Sequence, residues 1–309
     1  MYMYLPIALT SVNYLVVMGL GLGVGLLSGL FGVGGGFLMT PLLMMVGIPP
    51  TIAAATDANQ IVAASASGTI SHWRLGNVDF KMGLYLLIGG FVGGAAGVQV
   101  IKILRAAGGA DFLIKMTYVV MLGGVGSFMF VESLNAMRKT KKASAAAAPA
   151  AAPKEKKSGF FAALPMQTYF EKSGVTHSAL VPLFLGTFVG VLAAIMGVGG
   201  GFLMVPVMIY MLRMPMHVVV GTSLFQILFT CIEVTYLQAY SNHTVDFILA
   251  IILLVGSVFG AQIGTVLGRK LHGDQLKILL SIIVLAVTVK IVLELVMEPS
   301  ILLSYAGGH

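Results

Sequence analysis

The chain has 309 residues, 58% of them hydrophobic and 9% charged, with a mean hydropathy of +0.99. These values exclude an ordinary soluble domain and indicate an integral membrane protein. The net charge of +7 does not call for nucleic acid, because eight of the 18 basic residues lie between 138 and 172, and the lone Cys231 excludes an internal disulfide or a cysteine metal cluster.

Eight apolar stretches follow one another at 14–46, 52–71, 82–101, 112–131, 179–212, 218–240, 247–268 and 275–297. Most approach the roughly 20 residues that cross a bilayer core. The first has no basic leading region and belongs to an internal repeat, so it reads as structure and not as a cleavable signal. Drawn as one helix it would run about 50 Å against a core of about 30 Å. Something must interrupt it. The sequence "GLFGVGGGFLMTP" at 29–41 offers Gly34, Gly35 and Gly36 as the breakpoint, since glycine is a poor helix former and permits backbone angles closed to other residues.

In the second stretch Thr56, Asn59 and Gln60 stand at i, i+3 and i+4 and share a helix face as neutral donors, with Asp57 beside them. His72, Trp73 and Arg74 at its end read as an interfacial anchor. Gly89, Gly93 and Gly97 in the third have the spacing of close helix packing. After the fourth, "RKTKKASAAAAPAAAPKEKK" opens a segment, 138–177, whose Ala, Pro and Lys composition suits a solvated cytoplasmic tether near anionic head groups.

The rest repeats the beginning. "MGVGGGFLMVP" at 196–206 brings Gly199, Gly200 and Gly201, and "MPMHVVVGTSLFQ" sets Thr222 and Gln226 opposite Thr56 and Gln60, with Ser223 between them. "TVDF" at 244–247 copies "NVDF" at 77–80, Gly256, Gly260 and Gly264 copy the earlier glycine ladder, and Glu294 copies Glu132. Matches in this order indicate duplication. The chain thus divides into a membrane repeat at 1–137, the linker, and a second repeat at 178–309. Ionisable groups inside spans are functional candidates by default. Glu233 in "FTCIEVTYL" is the candidate proton carrier, whereas Lys290 and Glu294 form an i, i+4 pair near a helix end.

Basic residues separate two topologies through the positive-inside rule. Single crossings throughout would divide Lys and Arg eleven to seven between the faces. Hairpins at the first stretch of each half would divide them fourteen to four. The sharper division places the linker in the cytoplasm and both termini outside, and it gives the halves opposite orientation, an inverted repeat. The predicted fold is an all-α polytopic membrane protein whose halves each begin with a segment broken at GGG. The two breaks then meet near the midplane, where helix N-termini hold an anion without a charged side chain. A secondary transporter of a small anion follows, with no cofactor or metal. The alternative is a membrane enzyme acting on a lipid or polyprenyl phosphate through basic residues such as Arg74 and Lys81.

The pair "GLFGVGGGFLMTPLL" and "AIMGVGGGFLMVPVMIY", with "ATDANQ", "SHWRLGNVDFKMG" and "GTSLFQ", resembles the TauE/SafE sulfite exporter family over nearly the whole chain except the linker. The resemblance implies movement, usually export, of sulfite, sulfoacetate or a related sulfur oxyanion across a bacterial inner membrane.

Overall fold

The computed structural model describes residues 2–31, 36–143, 167–268 and 273–297. A β-hairpin of β1 (Tyr2–Leu5) and β2 (Thr10–Asn13) leads into α1 (Tyr14–Phe31), α2 (Gly36–Met45), α3 (Pro50–Arg74), α4 (Phe80–Ala106) and α5 (Ala110–Ala143). The same order then recurs. Strands β3 (Gln167–Phe170) and β4 (Val175–Ser178) precede α6 (Leu180–Met196), α7 (Gly201–Tyr210), α8 (Met216–Leu237), α9 (Phe247–Gly268) and α10 (Gly273–Met297), and a π-turn at Gln238–Asn242 extends α8. The molecule is a helical, multi-pass membrane protein with two small hairpins added to the all-α expectation. The second hairpin occupies the last residues of the segment read as linker.

Among the described residues, Phe80–Ala106, Ala110–Phe128, Val218–Asn242 and Phe247–Gly264 are long and apolar enough to cross a bilayer. Of the four other predicted stretches, three fall short for physical reasons. In each half the first stretch is divided between a longer helix and one of ten residues, about 15 Å long. Helix α3 has 25 residues but is polar, and it buries Thr51, Thr56, Asp57, Gln60, Ser65 and Thr69.

The halves interlock. Helix α1 lies along α9 with both running the same way, since Gly21 faces Leu253 and Gly25 faces Ser257; likewise Gly89 of α4 faces Leu183 of α6, and Gly93 faces Thr187. A Cβ at Gly93 would lie 2.0 Å from the Thr187 carbonyl oxygen, so the predicted packing ladder is a surface of backbone contact between halves. The corresponding helices α3 and α8 meet antiparallel, with Gly68 against Leu224 and Gly221 against His72. Helices α5 and α10 also meet antiparallel, Gly123 facing Thr288 and Gly126 facing Val284.

Aspartates tie the hairpins to this frame. Asp79 caps α4 through the Met82 N–H (3.0 Å) and also accepts from the Ser173 N–H (3.1 Å) and hydroxyl in the β3–β4 turn. Asp246 begins α9 in the same way, accepting from the Leu249 N–H and from the Ile7 N–H in the β1–β2 turn, both at 3.2 Å. Such caps satisfy helix N–H groups that lack intrahelical partners.

Candidate functional site

Helix α6 stops at Met196 because the backbone turns left-handed. Gly197, Gly199 and Gly200 have φ of 72°, 67° and 79°. Space enforces the same choice: a Cβ at Gly197 would lie 2.0 Å from the Ala54 carbonyl oxygen, and one at Gly199 2.6 Å from Cys231 Sγ. Helix α7 then starts at Gly201 without a side-chain cap, and the Leu203 N–H is taken by the Gly200 carbonyl at 3.1 Å, so that Gly201 and Phe202 present the N–H groups at its head. In the first half Gly34 and Gly35 lie outside the described residues. Gly36 opens α2 and is buried, with its missing Cβ 2.2 Å from Ile61 Cδ1. Phe37 and Phe202, each following its glycine cluster, stack with centroids 4.5 Å apart and planes 15° from parallel. The starts of α2 and α7 are therefore neighbours.

The polar residues expected around these breaks divide into two groups. Thr56 and Thr222 are fully buried and serve as reciprocal braces: the Thr56 hydroxyl accepts the Asp246 N–H at 3.1 Å, and the Thr222 hydroxyl accepts the Asp79 N–H at 3.0 Å. Ser223 is turned to its own helix and donates to the Val220 carbonyl at 3.1 Å. The glutamines differ. Gln60 and Gln226 are buried, and Oε1 of each has no hydrogen-bond partner. Gln226 donates to the Thr230 hydroxyl at 2.9 Å, and a half-turn of its amide would present NH2 where the free oxygen now stands. Ile61 and Ile227, one residue beyond each glutamine, both pack against Gly199, so the amides stand at the level of the break. Asn59 is half-buried.

Asp57, one of the ionisable candidates within the spans, is fully enclosed. Its exposure is 0%, Oδ2 accepts from the Thr40 hydroxyl of α2 at 2.9 Å, and Oδ1 is buried without a partner. The Thr40 hydroxyl also stands 3.4 Å from the Met196 carbonyl, the last of α6, to which the buried Tyr118 hydroxyl of α5 donates. Glu233 lies apart from this cluster. It is half-buried between α8 and α4, and its partnerless Oε2 rests over Gly94. Lys290 is exposed and Glu294 half-buried on α10; Trp73 and Arg74 are exposed at the end of α3, and half-buried His72 faces Gly221. Lys81, a basic residue that a lipid-phosphate enzyme could use, donates to the Tyr169 carbonyl at 3.1 Å and lies 5.8 Å above the Phe170 ring.

The chain was compared with known proteins. Residues 17–291 match the family model described as "Sulfite exporter TauE/SafE". The "Probable membrane transporter protein YunE" of Bacillus subtilis is 26% identical over 294 residues, covering 91% of this chain and 98% of that protein. YjnA of the same organism, also described as a probable membrane transporter protein, is 27% identical over 276 residues, 88% of this chain and 97% of its own length. "Sulfite exporter TauE/SafE family protein 1" of Arabidopsis thaliana is 32% identical over 110 residues, 35% of this chain and 24% of that one. No solved structure matches. With matched sequence running from α1 into α10 and full-length likeness to membrane transporters, the chain belongs to the TauE/SafE sulfite exporter family.

Proposed function

We propose that the protein is a secondary transporter that exports sulfite or a related small sulfur oxyanion across the bacterial inner membrane, and that the anion binds where α2 and α7 begin. The observation that carries this reading is the stacking of Phe37 on Phe202, which brings two helix N-termini to one place. Each N-terminus carries about half a positive charge and several unpaired N–H groups. Gly34, Gly35 and Gly36 in one half and Gly199, Gly200 and Gly201 in the other supply the backbone donors. Gln60 and Gln226, with Asn59 at the edge, supply neutral amides. Neutral donors suit a ligand that must also leave. Thr56 and Thr222 shape the site by bracing the segments that begin α9 and α4, with Ser223 beside them.

The halves are inverted in this reading. Support comes from the antiparallel meeting of α3 with α8 and of α5 with α10, which is how equivalent helices meet across a two-fold axis lying in the membrane plane. The fourteen-to-four division of basic residues favours the same arrangement.

Flux of radiolabelled sulfite into proteoliposomes tests the function. Saturable uptake above protein-free vesicles is expected, together with its loss in Gly35→Ala and Gly200→Ala variants that remain folded in detergent. Wild-type vesicles that take up no more than empty ones would overturn the proposal.

A further inference from the structure

Asp57 is a carboxyl group with no exposure and, among the described residues, one hydrogen bond and one oxygen left without a partner, placed beside the glycine that opens α2. Its Oδ2 lies 3.5 Å from where a Gly36 Cβ would be. Removing an ionised carboxylate from water with so little compensation is costly, and such groups are retained inside membranes where they handle protons or ions. The repeat makes the placement more pointed. The position equivalent to Asp57 is Ser223, whose hydroxyl is spent on its own helix, so the acid belongs to one half only.

From this geometry we infer that Asp57 is the proton-coupling group of the transporter: it takes a proton from water on one side as the anion enters, and releases it to the other side as the anion leaves. The inference rests on the transport reading above. The logic is electrostatic. An ionised Asp57 beside the start of α2 repels an anion held by that same helix end, whereas the protonated acid does not. Anion and proton then occupy the site together and move in the same direction. The only bond made and broken is the carboxyl O–H: one proton is gained from water and one returned to water per cycle. The surroundings favour a proton over a metal cation. Among the described residues no group of three or more His, Cys, Asp or Glu could hold a metal ion, and the Thr40 and Tyr118 hydroxyls here already donate, to Asp57 and to the Met196 carbonyl.

Among the described residues, the groups that face Asp57 are few. Tyr118 comes from α5 and Cys231 from α8 as the titratable neighbours; α2 presents Thr40 and α6 its final carbonyl. Asp246 at the start of α9 donates its N–H to the adjacent Thr56, with its carboxylate turned to Ile7 and Leu249. Glu233 is half-buried and contacts α4 at Gly94.

The test uses the full chain in proteoliposomes containing a luminal pH dye, with sulfite as the probe. Wild-type protein should acidify the lumen in proportion to sulfite uptake. Asp57→Asn, which keeps the Thr40 contact, should abolish that acidification. Sulfite itself takes up a proton near neutral pH, so the proton change is read per sulfite taken up, in wild type and variant at the same luminal pH, and a folded Asp57→Asn that takes up no sulfite would overturn the inference. Proton movement undiminished in Asp57→Asn would overturn the inference. So would uptake driven by a sodium gradient that depends on Asp57, or loss of folding in both Asp57→Asn and Asp57→Ser, which would make the residue structural. Absence of wild-type sulfite flux would instead refute the transport reading itself.

Discussion

Replacing Gly199 by alanine separates a required left-handed turn from a merely packed helix, because the two give opposite signs. At φ of 67° an L-residue costs about 1–2 kcal/mol. The added methyl also meets Cys231 Sγ at 2.6 Å and Ile227 Cγ2 at 2.8 Å, both on α8 and both in the interior. Overpacking of that kind typically adds about 1–3 kcal/mol. The sum, about 2–5 kcal/mol of destabilisation, stands against a gain of about 1 kcal/mol for Gly→Ala within an ordinary helix. The two parts can be resolved. Cys231→Ala removes the nearer obstacle without touching the backbone angle, so it should recover part of the loss in the Gly199→Ala background. Equilibrium unfolding in mixed micelles of the wild type, both single variants and the double variant gives the coupling energy directly. A neutral or stabilised Gly199→Ala would refute the turn, and complete rescue by Cys231→Ala would show that backbone strain plays no part.

The paired braces supply a symmetric test: Thr56→Val and Thr222→Val each strand a buried N–H and should each cost about 1–3 kcal/mol in the same unfolding assay, with unequal losses arguing against their equivalence. Leu9, Arg213 and His243 hold positive φ where the other half has Gly174, Gly47 and Gly76, so Leu9→Gly, Arg213→Gly and His243→Gly should each raise thermal stability, by up to about 1 kcal/mol after the extra freedom glycine gives the unfolded chain. A drop in melting temperature would count against relief of strain. For topology, a reporter that fluoresces only in the cytoplasm should stay dark when fused after His309 and be bright when inserted near Lys154; the reverse pattern would refute the inverted arrangement.

Much of this architecture could be read directly. The repeated GGG and the copies of Thr56, Gln60 and "VDF" located the equivalent positions, because duplication leaves identity where the backbone tolerates little else. The hairpins were not legible. "YMYLPIALTSVN" and "QTYFEKSGVTHS" share few identities and make strands of four residues, too short for alternation to register. Even their common turn is disguised, since Leu9 occupies the left-handed place that Gly174 fills in the copy. At the site, helical spacing put Thr56 and Gln60 on one face but could not reveal that the hydroxyl is used by Asp246, a residue 190 positions away, while the amide oxygen is free. Asp57 was visible as a charge in an apolar region. Its enclosure depends on α2, α5 and α6, and no local pattern encodes that.

The exchange of partners between halves bears on how the chain is made. Helix α1 is synthesised early and finds its full-length neighbour α9 only after more than two hundred further residues have been added. Until then its glycine face, and that of α4 awaiting α6, is bare in the lipid. The nascent first half is thus an unfinished object that insertion machinery must shelter, and assembly is committed late. Two polypeptides severed within the tether and made together in one cell should therefore still find each other, whereas either one made alone would present unmatched surfaces to quality control.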